Sequence, residues 1–351
     1  MNKVKKYQRC MVMAGGGFRF GYYLGMYAAM CKLNKAPDLL LASCGGAIAA
    51  GTIQSFSDDA QRKDWISSPT MYQFWLELKS NRQASITRAF VAAVNRRFFA
   101  KNAKKIPDLF NDYLFEIPKH LPTPPTTPLN HELDVAIIAG KLLYTEAEVG
   151  LARGQRKLFA ETVFCTARTA SLLNGATSPL SADTWGDNAI AAQLLTETNM
   201  PMVEAMRASV SDMFYFRCHS YQGNDYIGGV IDLFPIEVAT QLAEEIIMEL
   251  KGPYDNFFSI PALRVVLGID GNERLDHVLQ QFADIWVNTS DMSEVLVENQ
   301  IYKKIIWRHN QIKLIMPDSY ENYVKMIDAQ WQYGYHRGLN STTSVPNDSR
   351  K

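Results

Sequence analysis

Two glycine-rich turns near the start of the chain decide its fold, and they read Gly15-Gly16-Gly17-Phe18-Arg19-Phe20-Gly21 and Ala42-Ser43-Cys44-Gly45-Gly46-Ala47. The first turn follows an apolar run at residues 10–14, and the second follows Leu39-Leu40-Leu41. Short apolar runs that end at such turns are typical of buried strands. A small and apolar stretch follows each turn, as expected for a helix packed closely on a sheet. The order strand, turn, helix is therefore predicted twice.

The second turn has the pattern of a nucleophile elbow, in which a reactive side chain lies at a sharp turn between a strand and a helix. The backbone of such a turn is strained, so its neighbours must be small, as Ala42, Gly45 and Gly46 are. Cys44 is then the candidate nucleophile. The positive end of the following helix predicts a lowered pKa for its thiol. The competing interpretation is that Cys44 is a small buried apolar residue.

The first turn offers backbone N–H groups that can face a developing oxyanion, so Gly15, Gly16 and Gly17 are predicted oxyanion donors together with Gly45. Arg19 is expected to brace this loop. A dinucleotide-binding loop is disfavoured because Phe20 stands where the third glycine would be. A phosphate-binding loop is disfavoured because no Gly-Lys-Ser/Thr follows.

Taken with a later segment, the two turns resemble the patatin-like phospholipase family, which carries a GGGxRG loop, a G-x-S-x-G-A elbow and a distant Asp-Gly-Gly/Ala motif. The later segment spans residues 226–236 and contains Ile227-Gly228-Gly229. Residues 208–214 resemble the Ala-Ser segment that precedes this motif in the family. The resemblance covers residues 8–340. It implies a single domain with a three-layer α/β/α fold around a mostly parallel sheet, and it implies no cofactor and no metal.

The departures from the family pattern include Phe20 and Ala42 in place of glycines and Leu233 in place of the usual Asn, and the most consequential ones concern the catalytic Ser–Asp dyad. The resemblance puts the nucleophile at Cys44 and the base at Ile227, whose side chain can accept no proton. Asp225 and Asp232 are weak candidates for a substitute base, and ordinary turn polarity is the competing interpretation for both. His219 lies nearby in sequence and has the same two interpretations.

Two functions therefore stay open, and whether the chain is an enzyme is undecided by its sequence. The first is a lipid acyl hydrolase or acyltransferase that works through an acyl-thioester on Cys44, with an acyl lipid or acyl thioester as its partner. The second is a catalytically inactive patatin-like pseudoenzyme that binds lipid or a protein.

Composition narrows the remaining classes. The formal net charge of the 351 residues is zero, which predicts no general attraction to nucleic acid. Five scattered cysteines and dispersed histidines predict reduced thiols and no metal site. Neither a secretory signal nor a long apolar run is present in the sequence, so a cytoplasmic protein is expected, either soluble or peripheral at a membrane.

Residues 62–128 are expected to be an inserted helical or lid region that ends in a proline-rich loop, and residues 341–351 a disordered tail. Within the insertion, residues 62–105 carry ten Lys or Arg and two acidic residues among several aromatics. This stretch is either a solvated helical pair or a contact with an anionic membrane. Farther along, residues 236–250 are predicted as a helix and residues 263–269 as a strand.

Overall fold

The chain builds its central sheet from parallel strands supplied by both halves of the sequence. A computed structural model describes residues 4–99, 103–124 and 132–343. The strands of these residues are β1 Tyr7–Ala14, β2 Leu39–Ser43, β3 Lys79–Ser80, β4 Phe115–Glu116, β5 Asp134–Leu142, β6 Phe159–Phe164, β7 Leu195–Glu197, β8 His219–Tyr221, β9 Asn224–Ile227, β10 Ala243–Leu250, β11 Ile285–Asn288, β12 Tyr302–Ile306 and β13 Gln311–Ile315.

The α-helices of the same residues lie between these strands and after the last of them. They are α1 Gly21–Lys32, α2 Gly45–Ser55, α3 Asp59–Ile66, α4 Pro69–Leu76, α5 Ile86–Val94, α6 Ala167–Leu172, α7 Met202–Ser209, α8 Ile236–Leu242, α9 Ser259–Val266, α10 Gly271–Leu279, α11 Met292–Val295 and α12 Tyr320–Leu339.

The main sheet has the strand order β11-β10-β1-β2-β5-β6-β7. Neighbouring strands from β11 to β5 are parallel, β6 is antiparallel to β5, and β7 is parallel to β6. The β8–β9 hairpin joins the sheet through an antiparallel pairing of β9 with β5. Separate two-stranded sheets are formed by β12 with β13 and by β3 with β4. The predicted mostly parallel central sheet is confirmed.

Side chains of the central strands alternate between two apolar cores, one on each face of the sheet. In β1, Cys10 and Val12 belong to the core that also contains side chains of α8, α9 and α10. Met11 and Met13 belong to the other core, which contains side chains of α1, α2, α4 and α12. Because successive strand residues point to opposite faces, both faces are covered by helices. The three-layer α/β/α prediction is confirmed.

The carboxyl ends of β1 and β2 meet at one edge of the sheet. Their register pairs Ala14, the last residue of β1, with Ser43, the last residue of β2. The two glycine-rich turns therefore leave the sheet side by side, and this edge holds the candidate site.

Two predicted elements are wrong. Residues 236–250 form a short helix, α8, followed by the strand β10, which lies between β1 and β11. Residues 263–269 contain the end of α9 rather than a strand. β10 has the sequence AEEIIMEL, and its three glutamates would also fall on one face of a helix. In such short segments periodicity does not separate a buried strand from a helix.

The predicted insertion contains well-packed helices as well as exposed ones. Trp75 of α4 and Ile66 of α3 belong to the apolar core beneath α1 and α12, whereas α5 has no fully buried residue. Residues 125–128 of the predicted proline-rich loop lie outside the described residues. The expectation of a lid or insertion at 62–128 stays a prediction.

The first residues of the predicted tail are bound to the sheet. Thr342 exchanges two backbone hydrogen bonds with Trp286 of β11, at 2.7 and 2.9 Å, which ties residues 341–343 to the sheet edge. Residues 344–351 lie outside the described residues.

Candidate functional site

Cys44 occupies the tip of a sharp turn between β2 and α2. Its backbone φ of 51° and ψ of −123° fall in a region that side-chain-bearing residues rarely adopt. Holding a residue there costs on the order of 1–3 kcal/mol, and such strain clusters at functional sites. The geometry is that of the predicted nucleophile elbow.

Close contact between the two turns explains the glycines after Cys44. A Cβ atom at Gly45 would collide with the carbonyl oxygen of Gly17, and one at Gly46 would collide with that of Met13. Backbone atoms of a strand end cannot move aside, so these positions exclude larger residues. The first turn is thereby pressed against the residue that follows the candidate nucleophile.

The thiol of Cys44 has a carboxylate partner. Its Sγ donates a hydrogen bond of 2.9 Å to Oδ1 of Asp212, a residue 168 positions later in the chain. Asp212 follows α7 and lines the same cavity as Cys44. A nucleophile within hydrogen-bond reach of a base is the arrangement that nucleophilic catalysis requires. The structure thus supplies a carboxylate that the family motif, read at Ile227, lacks.

Gly228 is what allows the Asp212 carboxylate to reach this position. A Cβ atom at Gly228 would collide with Oδ1 of Asp212, and the Gly228 N–H donates to the carbonyl of Ser211 at 2.8 Å. The adjacent Ile227 is fully buried. A Cβ atom at Gly140 would lie 2.8 Å from the Ile227 side chain, so Ile227 fills space against the sheet. Gly228 of the third motif therefore has a structural role, although the acidic position of the motif is occupied by the apolar Ile227.

Ser209 braces the elbow from the end of α7. Its hydroxyl accepts a hydrogen bond from the Cys44 backbone N–H at 2.9 Å and donates one to the carbonyl of Ile138 at 2.6 Å. Ser209 is fully buried. Because α7 carries Ser209 and is followed by Asp212, one short segment fixes both the backbone and the side chain of Cys44.

The predicted thiolate is not what the site favours. Burial raises the pKa of the Cys44 thiol well above its ordinary value, and the negative charge of Asp212 raises it further, while Lys251 opposes the shift. Burial also raises the pKa of Asp212 to about 6, against the hydrogen bond from Cys44. The predicted lowering by the helix N-terminus is wrong because burial and a neighbouring carboxylate outweigh it. At neutral pH the pair is a thiol that donates to a carboxylate.

The four predicted oxyanion donors differ in their surroundings. Gly17 and Gly45 line the cavity beside Cys44. The N–H of Gly15 instead donates to the carbonyls of Met13 and Ser43, at 3.1 and 3.2 Å, so it is already engaged. This geometry removes Gly15 as a free donor.

Gly16 stays a predicted donor, and its carbonyl holds the loop in place. That carbonyl accepts a hydrogen bond of 3.3 Å from Nε of Arg19 and one of 3.2 Å from the Arg19 backbone. The expected bracing of the loop by Arg19 is therefore seen in the structure.

Asp232 has a partner other than Cys44. Its carboxylate forms a buried ion pair of 3.1 Å with Arg274 and accepts the backbone N–H of Phe234 at 3.1 Å. A carboxylate held between an arginine and a backbone donor is a structural acceptor. The expectation that Asp232 acts on Cys44 is therefore wrong, and the carboxylate that contacts the Cys44 thiol is that of Asp212.

Asp225 and His219 are also engaged away from Cys44. Asp225 lies on β9 and accepts the hydroxyl of Ser220 at 2.5 Å. Nε2 of His219 lies 2.7 Å from the Glu204 carboxylate. Asp225 and His219 lie close to Ile227 in sequence, but their side chains are hydrogen-bonded to other residues. Alternate residues of a strand point to the same face of the sheet, and this does not give them the same hydrogen-bond partner.

Sequence reasoning does not identify Asp212 as a site residue. Asp212 lies within residues 208–214, which resemble the Ala-Ser segment of the family. The only local signal is that Asp212 is an acidic residue directly before the apolar residues 213–216. A lone carboxylate there raises the question of what it faces, but nothing in the sequence says that it faces residue 44.

An apolar cavity of about 310 Å³ opens beside the Cys44–Asp212 pair. Its walls are mostly aromatic and aliphatic: Phe18, Phe20, Ile48, Trp75, Ile117, Val210, Tyr215, Phe216, Ile301 and Tyr302. Phe20 stacks on Trp75 with ring centroids 5.3 Å apart, which joins the first turn to α4. A volume of this size with few polar groups suits a small apolar ligand or an acyl chain. In the described ranges, no group of three or more His, Cys, Asp or Glu is placed to hold a metal ion.

An elbow of this kind beside an apolar cavity is the arrangement of α/β acyl hydrolases. A family model described as patatin-like phospholipase matches residues 11–240, and the chain belongs to that family. Membership supports a lipid acyl hydrolase kind of function.

Other comparisons are distant. No curated protein sequence matches the chain. Among solved structures, the crystal structure of VipD from Legionella pneumophila aligns over 96% of this chain and 68% of that chain, with 9% identity and a TM-score of 0.34. A TM-score of this size supports no conclusion about function.

Proposed function

We propose that this protein is a lipid acyl hydrolase or acyltransferase that forms an acyl-thioester on Cys44, with Asp212 as its general base. The observation that carries the proposal is the 2.9 Å hydrogen bond from Cys44 Sγ to Asp212 Oδ1 at a strained elbow. Cysteine keeps a nucleophile where the family has serine, and Asp212 takes the proton-accepting role that Ile227 cannot fill. Both changes then preserve one dyad.

In the acylation step, Sγ of Cys44 attacks the carbonyl carbon of an ester or thioester while its proton passes to Asp212. The negative charge on the carbonyl oxygen is stabilised by the N–H groups of Gly17 and Gly45. Collapse of this intermediate breaks the bond to the leaving alkoxide or thiolate, which takes the proton from Asp212. The acyl group remains on Cys44 as a thioester, and Asp212 is again ionised.

Deacylation repeats these steps with a second nucleophile. Water or a hydroxyl acceptor gives its proton to Asp212 as its oxygen attacks the thioester carbon. The Cys44 thiolate leaves and recovers the proton from Asp212. A base beside the thioester is what makes water a competent acceptor, so Asp212 supports hydrolysis as well as transfer.

The substrate class follows from the cavity and the family. Its apolar walls suit the acyl chain of a lipid or an acyl thioester, and Trp75 brings part of the 62–128 region to the cavity. Contact of residues 62–105 with an anionic membrane would supply such a lipid. None of the helices in the described residues is long and apolar enough to span a bilayer.

The second candidate is a catalytically inactive protein that binds lipid or a partner with the same cavity. The observation in its favour is the raised pKa of the Cys44 thiol, which leaves almost no thiolate at neutral pH. It predicts that the cavity fills with an acyl compound without covalent change.

The deciding experiment is intact mass after incubation with a medium-chain acyl-CoA or a p-nitrophenyl ester. The wild type should gain one acyl group, and both Cys44→Ala and Asp212→Asn should gain none. Cys31→Ala is the matched control, because Cys31 is a half-buried thiol outside the site, and it should be acylated like the wild type.

Other outcomes are equally informative. No adduct on the wild type between pH 6 and 9 and no release of CoA or p-nitrophenol, together with binding of the acyl compound, would favour the inactive protein. An adduct that persists in Asp212→Asn at an unchanged rate would refute the role of Asp212.

A further inference from the structure

Helix α5 presents an apolar face that the described residues do not cover. Phe90 and Val91 are 63% and 56% exposed, and Phe98, in the π-helical turn that follows, is 60% exposed. No residue of α5 is fully buried. A helix with this strongly apolar face and a water-exposed position is typical of an interfacial helix.

Two other exposed apolar segments adjoin the ends of α5. At its beginning, the Ile86 N–H donates to the Asn310 carbonyl at 3.1 Å, which docks α5 on the β12–β13 hairpin. Beyond its end, Nη1 of Arg97 donates to the Asn256 carbonyl at 3.1 Å, next to Phe258, which is 61% exposed. The three segments therefore form one continuous surface, termed the α5 surface: residues 82–98, 255–258 and 302–315.

The hairpin carries the most exposed aromatic residue of this surface and also reaches the cavity. Trp307, at the tip between β12 and β13, is 77% exposed, and Ile305 is 46% exposed. Tyr302 and Lys303 of the same hairpin line the cavity beside Cys44. One end of the α5 surface therefore borders the proposed acyl cavity.

The charge of the α5 surface is one-sided in a chain whose net charge is zero. Residues 82–98 carry four arginines and residues 302–315 carry three lysines and one arginine, with no acidic residue in either segment. Arg96 is paired with Asp112, and Asp255 lies in the connecting turn. Basic residues among exposed aromatics are complementary to anionic lipid headgroups over an apolar layer.

We propose that the α5 surface docks this protein on an anionic lipid bilayer. The cations contact headgroup phosphates, and Phe90, Phe258 and Trp307 enter the apolar boundary beneath them. Docked in this way, the protein directs the mouth of its cavity at the acyl chains of the bilayer. The orientation rests on the proposed function, whereas the docking itself does not require catalysis.

The test measures sedimentation with vesicles of phosphatidylcholine alone or with 30% phosphatidylglycerol, using the Cys44→Ala protein so that acylation plays no part. Anionic vesicles should bind it at least tenfold more tightly than neutral ones. Phe90→Ser/Trp307→Ser should weaken binding tenfold or more. Lys304→Gln/Arg308→Gln should reduce the preference for anionic vesicles and its sensitivity to salt.

Phe282→Ser is the matched control, because Phe282 is 75% exposed and lies far from the candidate site. Phe282 precedes the amino end of β11, whereas Cys44 follows the carboxyl end of the parallel strand β2. Its binding should equal that of the parent, and far-ultraviolet circular dichroism should show all variants folded. Equal binding by all variants, or no preference for anionic vesicles, would overturn the proposal. So would a dimer in solution that Phe90→Ser/Trp307→Ser dissociates, since that assigns the surface to a second copy of the chain.

Because the Cys44→Ala protein is used, vesicle binding survives even if Cys44 is never acylated. Conversely, acylation of the wild type by a soluble ester survives if the vesicles are not bound. Failure of either proposal is therefore recognised separately.

Discussion

At the scale of single residues, the site depends on a thiol and a carboxylate that share one proton. Burial raises the pKa of Asp212 to about 6, although the hydrogen bond from Cys44 opposes this shift. Burial also raises the pKa of the Cys44 thiol, and the charge of Asp212 raises it further. A base with a pKa just below neutral pH is well matched to proton transfer at neutral pH.

The first prediction concerns pH. Asp212 accepts the thiol proton only when it is ionised, so the acylation rate should rise with pH through about 6 and then level off. At pH 5 about a tenth of the carboxyl is ionised, so the rate should be roughly tenfold lower than at pH 7.5. Single-turnover acylation by a p-nitrophenyl ester measures this profile. A rate that instead rises tenfold per pH unit up to pH 9 would mean that free thiolate is the nucleophile.

The second prediction concerns stability. The folded-state pKa of Asp212 lies above its ordinary value of 3.8, so its contribution to stability is present below pH 4 and is lost as pH rises through about 6. A shift of this size corresponds to about 3 kcal/mol, which is an upper bound for the effect. Asp212→Asn should therefore be more stable than the wild type at pH 8 by up to that amount, and equal near pH 4.

Urea unfolding of both proteins at the two pH values measures this difference. All other titratable groups are the same in both proteins, so their contributions to the pH dependence cancel. A variant less stable than the wild type at pH 8 would show that the ionised carboxylate is a net stabilising partner.

Ile227→Val provides a contrast at the family's own acidic position. It should cost about 0.5–1.5 kcal/mol at every pH and leave acylation unchanged.

At the scale of elements, α1 and α12 cross with their backbones in contact. A Cβ atom at Gly25 would collide with the Trp331 carbonyl oxygen, and one at Gly334 would collide with that of Tyr22. The Tyr22 ring lies against Gly16 of the first turn, and its hydroxyl donates to the buried Glu249 at 2.8 Å. The crossing therefore also positions the turn that faces Cys44.

The third prediction compares two glycine-to-alanine changes in helices. Gly334→Ala should destabilise the protein by about 3 kcal/mol or more, because two helix backbones must separate to admit the methyl group. Gly51→Ala, in α2, should change stability by less than about 1 kcal/mol, because its Cβ would meet the flexible end of Met206 at 2.5 Å and alanine favours a helix. Thermal and urea unfolding compare them, and equal effects would contradict the rigid crossing.

At the scale of the whole molecule, the cavity beside Cys44 has a neighbour. A second cavity, of about 250 Å³, is lined by Trp65, Met71, Met202, Met206 and other side chains. Ile48 of α2 borders both cavities. The Ile48 side chain is therefore part of the wall of both spaces.

The fourth prediction is that Ile48→Ala joins the two cavities and changes chain-length preference. Acylation by a C16 acyl-CoA relative to a C8 acyl-CoA should increase several-fold over the wild-type ratio, because the longer chain gains apolar surface to bury. Intact mass over time measures both rates. A uniform loss with both chain lengths would indicate damage to the elbow rather than a wider cavity.

Local pattern was enough to predict the part of this protein built from adjacent residues. The two glycine turns, β1, β2 and the helices after them follow from short apolar runs, small residues and turn chemistry, all of which act over a few positions. The family resemblance combines these motifs with the later segments at residues 208–214 and 226–236, and it implies the mostly parallel three-layer fold.

Tertiary structure alone decided what the chemistry at Cys44 can be. Asp212 reaches the thiol across 168 positions because α7 packs beside β5 and Gly228 leaves room for its carboxylate, neither of which any local pattern encodes. The direction of the thiol pKa follows from burial and that carboxylate, so reasoning from the helix N-terminus alone was wrong. In the same way, residues 243–250 fit a helix by local pattern, and only their position between β1 and β11 makes them a strand. Sequence specified the elbow through contacts between neighbours, and the fold specified the carboxylate partner of Cys44 through contacts between distant segments.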